Sequence, residues 1–320
     1  MGSLTLISQQ IVLYWSSITL ITGVFGGIIN CIVFLSLKTF RQNSCVFYLT
    51  VMSFFNIGQL LMSVFSRIMI SGFDIDWTQT SLFYCKFRQM FLHLCSLMSF
   101  SCMCLATVDQ FMVTSVRRRW QLFCNIKLAR WLSFILTLFW ILHEIPALVY
   151  SDHVVKASNK ISCSNVNLIY QQYVAYVYVL LLTGIIPIII NILFGSLAYY
   201  NVRQIPYRAV PIVRRELDKQ LTSMVLVQVV YNVIVVVPFI VVVILMQSTN
   251  LSRDSDTAEA FNFAYTIVGN LFYMYFVGPF YIYICTSKRF RQQFLYVICH
   301  RYYQENQQRI VIMQQIVPYL

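Results

Sequence analysis

The cysteines and histidines are the side chains of this chain best suited to chemistry, and their spacing limits what that chemistry can be. The 320 residues include ten cysteines and four histidines, but no group of them has the spacing of a zinc site. Nor does the sequence contain a glycine-rich phosphate loop, a nucleotide fingerprint or a catalytic triad. It therefore predicts a protein that is not an enzyme and uses no cofactor or metal.

Seven long apolar stretches must position whatever functional residues the chain has. Each is long enough to cross a hydrocarbon core of roughly 30 Å as a helix, and the chain is 59% hydrophobic and 11% charged. A soluble domain, in which about a quarter of the residues are charged, could not bury so much apolar surface. We predict an all-α membrane protein, a seven-transmembrane helix bundle forming a single domain over residues 1–320. Its helices are expected at about 11–37, 45–70, 82–114, 128–149, 171–200, 221–246 and 260–285.

The distribution of basic residues predicts the orientation of this bundle. Most of the 23 lysines and arginines fall in segments that are cytoplasmic if the N-terminus lies outside. By the positive-inside rule, the N-terminus is outside and the C-terminus inside. The net charge of +12 then reflects topology and contact with a lipid membrane, not nucleic-acid binding. Because the first apolar stretch is too long and has no basic flank in front of it, we expect no cleavable signal peptide.

Two of the ten cysteines fall on the outer side in this orientation. Cys85 begins the third helix and Cys163 lies in the loop between helices four and five, whereas the other cysteines fall within helices or on the cytoplasmic side. Because the exterior is oxidising, we predict a disulfide between Cys85 and Cys163, with two free thiols as the alternative.

Asparagines and prolines inside the apolar stretches predict a hydrogen-bonded interior that can change shape. Polar groups in lipid usually face the bundle interior, and a proline removes a backbone hydrogen bond and permits a kink. For any one of these residues, ordinary membrane packing is the alternative. In the first helix, Gly23, Gly27 and Asn30 share one face, which predicts close packing against neighbouring helices. The full set is Asn30, Asn56, Asn191, Asn232, Asn270, Pro146, Pro187, Pro238 and Pro279.

Charged and aromatic side chains near the outer helix ends form the candidate ligand site. Arg67 and Arg88 could hold a carboxylate or a terminal amide carbonyl of a short peptide, and tyrosines suit aromatic side chains. Alternatively, the arginines extend to lipid headgroups and the tyrosines form an interfacial belt. Glu144, well within the outer half, requires a partner, and His93 and His143 are expected to be satisfied interior histidines. The predicted ligand-binding residues are Arg67, Arg88, Gln89, Glu144, Gln172, Tyr176 and Tyr265.

Several short motifs fall at the spacing of a known receptor family. They are Gly26-Gly27-Ile28-Ile29-Asn30, Met52-Ser53-Phe54-Phe55-Asn56, Asp109-Gln110-Phe111, Pro238 and Pro279 to Tyr283. Together with the cysteine pair, they make essentially the whole chain resemble the rhodopsin-like (class A) G-protein-coupled receptors. The chain is more loosely similar to the invertebrate neuropeptide receptors of the FMRFamide type.

The resemblance implies a plasma-membrane receptor that transduces an extracellular ligand, here a short neuropeptide, to a heterotrimeric G protein. Gln110 stands where the family has an arginine, which weakens the expected pairing with Asp218. Leu92 occupies the place of the carboxylate that amine receptors need, and the seventh helix lacks the lysine that binds retinal, so neither ligand class fits. Coupling and switching are assigned to Asp109, Gln110, Phe111, Asp218, Pro238, Pro279 and Tyr283.

The C-terminal segment predicts a contact with lipid. Residues at about 287–303 alternate basic side chains with apolar ones such as Phe290 and Phe294, which is typical of a short amphipathic eighth helix. Cys299 near its end is a candidate for palmitoylation, with an unmodified thiol as the alternative. Asn250 begins a glycosylation sequon on the outer side.

Two other functions stay open on the sequence. A seven-helix transporter or channel would also have a polar interior, but the sequence shows few ionisable residues in series and no paired hydrophobic half-repeats. The glutamine at position 110 also suggests a receptor-like protein that no longer couples to a G protein.

Overall fold

The computed structural model describes residues 3–155, 161–204, 212–248 and 255–298. Within these residues, seven helices are long and apolar enough to cross a membrane, which gives the chain the fold of a multi-pass membrane protein. The predicted all-α bundle is confirmed, and each helix lies within a few residues of its expected position. We name these helices spans 1 to 7: Leu6–Ser36, Ser44–Gly72, Leu82–Thr114, Ile126–Tyr150, Leu168–Gln204, Asp218–Gln247 and Glu259–Thr286.

Side-chain caps explain where four of the spans begin. Asn43, Ser81, Asn125 and Asn167 each accept a hydrogen bond from a backbone N–H of the first helical turn, at 2.8–3.3 Å. Such caps satisfy donors that a helix start would otherwise leave without a partner. Spans 1, 6 and 7 belong to slightly longer helices, and short helices lie between spans. These further bounds are Ser3–Ser36, Ile212–Ser248, Ser255–Thr286, Lys38–Arg41, Trp77–Thr80 and Arg118–Phe123.

Three spans depart from regular α-helix. Span 2 contains a π-helical turn at Leu60–Val64, and span 5 contains a longer π-helical segment at Val174–Ile185, between Leu168–Tyr173 and Ile186–Gln204. Span 4 breaks at Glu144 into the helices Ile126–His143 and Ile145–Tyr150. By contrast, Pro238 and Pro279 lie inside continuous helices.

A two-stranded hairpin marks one end of the bundle. Strands β1 (Ser151–Val155) and β2 (Ile161–Asn165) pair antiparallel, with His153 opposite Cys163. A disulfide joins Cys163 to Cys85 at the start of span 3, with a Cα–Cα distance of 5.7 Å. The predicted disulfide is confirmed, but the sequence did not predict the strands. We call this end of the bundle the hairpin end.

Span 3 is the most buried of the seven spans, whereas span 4 is the least buried. Two clusters of buried apolar side chains fill the interior, one centred on Met52, Met98 and Tyr283, the other on Leu97 and Phe100. Because lipid is as apolar as these side chains, the association of the spans depends on close packing and interhelical hydrogen bonds.

Glycines allow span 1 to approach its neighbours closely. A Cβ added to Gly27 would lie 2.6 Å from Cγ1 of Ile57, and one added to Gly23 would lie 2.5 Å from Cδ1 of Leu60. Neither position has room for a side chain, so the close packing predicted for this face is confirmed.

A further helix at 288–298 follows span 7. Phe290 is fully buried, with ring centroids 5.4 Å from Phe34 and 5.8 Å from Tyr283. Leu295 and Ile298, on the same helix, are exposed. The remainder of the predicted amphipathic helix, including Cys299, lies outside the described residues, as does the sequon at Asn250.

Candidate functional site

A cavity of about 170 Å³ lies between spans 2, 3, 5, 6 and 7, towards the hairpin end. Five different spans contribute to its wall, so a change in their packing would change its shape. Both polar and aromatic side chains line it, including Arg67, His93, Tyr178, Phe239, Tyr265 and Tyr273. Leu92, at the position that excluded amine ligands, also lines it.

Arg67 is the cationic side chain of this cavity. Its guanidinium carbon lies 5.9 Å from the ring centroid of Tyr273, and Gly269 leaves room for the side chain, because a Cβ there would lie 3.0 Å from Nη1. In the described part of the chain, no carboxylate forms an ion pair with Arg67. An arginine in this position can bind an anionic or carbonyl group with two parallel hydrogen bonds.

The other predicted ligand-binding residues are divided between the cavity and the surface. Tyr265 lines the cavity together with Arg67. Arg88 is half-buried and does not line it, and Gln172 and Tyr176 are exposed. For all seven predicted residues, contact with a ligand stays a prediction.

Glu144 and Gln89 do not line the cavity themselves, but both contact His93, which does. The Glu144 carboxylate lies between two histidines, with Oε2 2.8 Å from Nδ1 of His93 and Oε1 2.9 Å from Nδ1 of His143. Gln89 contacts Nε2 of His93 at 3.1 Å. The partner expected for Glu144 is thus a pair of histidines from spans 3 and 4. We call Glu144, His93 and His143 the Glu144 bridge.

Buried asparagines form hydrogen bonds between neighbouring spans. All five predicted asparagines are buried: Asn30, Asn56, Asn191, Asn232 and Asn270. Three of them accept hydrogen bonds from hydroxyl groups of neighbouring spans: Asn56 from Ser99, Asn191 from Thr107 and Asn270 from Ser16. The amide of Asn232 has no hydrogen-bond partner among the described protein atoms. Three of the five asparagines therefore form hydrogen bonds between spans, and for Asn232 the described residues show none.

At the end opposite the hairpin, glutamines hold span 6 in place. We call these contacts the glutamine latch. Gln110 of span 3 accepts a hydrogen bond from Thr222 of span 6 at 3.0 Å. Gln228 of span 6 accepts one from Tyr283 of span 7 at 2.6 Å. Gln220 of span 6 accepts two at 3.1 Å, from the Ser287 hydroxyl and the Arg289 backbone N–H, which precede or begin the helix at 288–298.

The acids near the latch have different partners. Asp109 is buried and accepts a hydrogen bond at 2.7 Å from Ser44, at the start of span 2. Thr222, which reaches Gln110, also donates to the backbone carbonyl of Asp218 at 2.8 Å. The hydrogen bond that Gln110 accepts therefore comes from a residue one helical turn along span 6 from the expected partner, Asp218.

Sequence reasoning missed the two glutamines of span 6. Gln220 and Gln228 lie in a mostly apolar helix, where a polar amide is costly unless it has a partner. This cost is a usable signal, but it does not identify the partner. No model of a protein family matches the chain, and no curated protein matches its sequence. What the site can do is therefore inferred from its geometry.

Proposed function

We propose that this chain is a plasma-membrane receptor that binds a small extracellular ligand and signals to a heterotrimeric G protein. The observation that carries this proposal is the cavity between five spans, into which Arg67 brings a charge without an ionic partner in the described residues. At the other end of the same helices, the glutamine latch joins spans 3, 6 and 7. A ligand that moves these spans would alter both ends of the bundle.

The chemistry of the cavity favours a ligand with an anionic or carbonyl end and an apolar or aromatic body. Arg67 suits a terminal carboxylate or amide carbonyl, and Phe239 and Tyr265, whose ring centroids are 6.0 Å apart, suit an aromatic side chain. A short peptide combines these groups. The proposed ligand is therefore a short neuropeptide-like molecule.

The proposed orientation places the hairpin end outside the cell. Basic residues concentrate in the sequence at about 117–130, 203–219 and 288–309. The described parts of these segments lie at the end opposite the hairpin, as expected for cytoplasmic loops. The disulfide between Cys85 and Cys163 at the hairpin end suits an oxidising exterior. The two features support the same topology independently.

The glutamine latch suits a switch with two states of similar energy. Its hydrogen bonds are between uncharged groups, which contribute about 1 kcal/mol each. A ligand with a differential affinity of a few kcal/mol would be sufficient to shift such an equilibrium. Displacement of span 6 from Gln110 would open a cleft beside the basic segments, where an acidic amphipathic helix of a G protein could bind.

The helix at 288–298 completes the proposed inner surface. Phe290 and Phe294 pack on the bundle, whereas Leu295 and Ile298 are left to face the lipid interface. Nη1 of Arg291 donates hydrogen bonds to the carbonyls of Ile284 and Cys285, in the last turn of span 7. This helix would lie along the inner membrane surface.

The proposal is tested by expressing the chain in cells with a panel of G proteins and screening short peptides with free and amidated C-termini. For an active peptide, Arg67→Gln should lower potency roughly tenfold to hundredfold, because a hydrogen bond to a charged group contributes about 1.5–3 kcal/mol. Arg88→Gln should have a smaller effect, since Arg88 does not line the cavity. Surface expression of both variants serves as the control.

Other outcomes would identify the alternatives. Ion or solute flux in proteoliposomes would indicate a transporter or channel and contradict the receptor proposal. Peptide binding without any G-protein response would indicate a receptor that does not couple, and Gln110→Arg would then show whether the glutamine is responsible. Equal potency in wild type and Arg67→Gln would remove Arg67 from the ligand site.

A further inference from the structure

The Glu144 bridge joins two imidazole rings to one carboxylate. Each histidine presents Nδ1 to one oxygen of the Glu144 carboxylate, at 2.8 Å for His93 and 2.9 Å for His143. With Glu144 ionised, each Nδ1 carries a hydrogen, and the charge of the ring depends on whether Nε2 is also protonated.

The groups that face Nε2 of each histidine can form a hydrogen bond with either the neutral or the protonated ring. Nε2 of His93 lies 3.1 Å from the side-chain amide of Gln89, and Nε2 of His143 lies 2.6 Å from the hydroxyl of Tyr173. An amide can present its N–H or, after rotation, its carbonyl, and a hydroxyl can donate or accept. Each imidazole can therefore gain a proton without losing a hydrogen bond.

Burial gives each proton a large electrostatic effect. The exposed fractions of the side chains are 2% for Glu144, 8% for His93 and 18% for His143. With both rings neutral the bridge carries a charge of −1, one added proton makes it neutral and a second makes it +1. Because net charge is costly to bury, these states differ in how they interact with the surrounding helices.

The surroundings contain no second acid among the described residues that line the cavity or contact the bridge. Arg67 of span 2 shares the cavity with His93, and the ring of Tyr178 lies 4.2 Å from the His93 ring, centroid to centroid. The titratable and charged groups that face the bridge are Arg67 from span 2, Tyr170, Tyr173 and Tyr178 from span 5, and Tyr265 and Tyr273 from span 7. Span 6 contributes only apolar Phe239 to this cavity.

We propose that the Glu144 bridge is a proton-binding site through which external pH sets the charge of the cavity and the packing of span 5. Histidine is the side chain that ordinarily titrates between pH 5 and 8. Protons reach the bridge at His93, which lines the cavity. Tyr173 and Tyr178 carry the change into span 5, where Tyr173 precedes and Tyr178 lies within the π-helical segment Val174–Ile185. External acid would be a second input, and its outer location depends on the proposed orientation.

The test uses protons as the only ligand. The full chain, labelled with ¹⁵N-histidine and reconstituted in nanodiscs, is titrated from pH 5 to 8 by NMR. The rings of His93 and His143 should titrate as a coupled pair. In His93→Gln, the midpoint of His143 should move by about one pH unit or more, a tenfold change in proton affinity, because both rings share one carboxylate. His143→Gln should have the reciprocal effect on His93.

A matched control and a fold control accompany the titration. His153→Gln, in strand β1, should leave the titration of both bridge histidines unchanged, since His153 bonds to the Thr78 carbonyl and not to Glu144. A thermal melt of each variant establishes that it is folded, and Glu144→Gln should abolish the coupling. If Glu144→Gln does not fold, the two histidine variants, which keep hydrogen-bonding side chains, decide the outcome.

The proposal is overturned if neither ring changes its protonation between pH 5 and 8, or if each titrates identically with and without the other. Because these measurements need neither a peptide nor a G protein, they are independent of the receptor proposal. If neither histidine titrates, the receptor proposal is unaffected. If no peptide is active in the screen, the proposed proton-binding site is unaffected.

Discussion

Single buried amides in this protein differ in whether they have a partner. Asn191 accepts a hydrogen bond from Thr107 at 2.8 Å, whereas both amide atoms of Asn232 lack a partner among the described residues. Both are nearly inaccessible, at 5% and 6% exposure. The same substitution should therefore have opposite effects at the two positions.

We expect Asn191→Leu to lower the free energy of unfolding by about 1 kcal/mol, through the loss of one hydrogen bond. Asn232→Leu should raise it by roughly 1 kcal/mol, because an amide without a partner is replaced by an apolar side chain. Thermal unfolding in detergent measures both. A loss of stability in Asn232→Leu equal to that in Asn191→Leu would mean that the Asn232 amide has a partner.

For single residues, the sequence predicted which side chains are important, but not which residues they contact. It identified Glu144 as an acid that needs a partner and predicted that His93 and His143 are satisfied, but it did not join them. The reason is physical: a helical period places a residue on a face, but it does not fix which residue of another span lies opposite. For the same reason, the sequence could not predict the hydrogen-bond partners of Gln110, Gln220 and Gln228.

At the scale of elements, length and hydropathy were sufficient for the seven spans, but deviations inside them were not. Pro187 lacks an N–H and its ring conflicts with the carbonyl of Thr183 four residues earlier. The π-helical segment Val174–Ile185 lies at this position. The proline permits a kink here, and the sequence did not predict the wider π-helical turns that the structure shows just before it. The hairpin strands, five residues each and largely polar, carried no comparable signal.

The close approach of span 1 gives a prediction for a helix interface. Gly27→Ala should lower the free energy of unfolding by about 1–3 kcal/mol, because the new Cβ would lie 2.6 Å from Ile57. Gly195→Ala is the matched control. There the nearest atom is Cδ2 of Leu226 at 3.3 Å, at the end of a flexible side chain, and alanine favours a helix. Chemical denaturation should show little or no loss for the control, and equal losses would refute the steric account.

At the scale of the whole molecule, charge and hydropathy together predict how the bundle sits in the membrane. The described parts of the basic segments and the disulfide are at opposite ends of the bundle. This arrangement could be predicted because it depends on composition and not on particular contacts.

The orientation leads to a prediction about the two termini. An epitope tag at the N-terminus should stain intact cells, whereas a tag at the C-terminus should stain only after permeabilisation. Tags that report the same compartment would contradict an odd number of membrane crossings. Untagged cells and a cytosolic marker control for leakage of antibody.

The size of the cavity limits how a peptide could occupy it. At about 170 Å³ it is smaller than the roughly 300–1,000 Å³ of a typical small-molecule pocket. A peptide of several residues would insert only its tip, and the rest would remain outside the cavity, at the hairpin end. Recognition would then be concentrated in the terminal residue, so a family of peptides with one shared ending and unrelated beginnings could act as equivalent messengers.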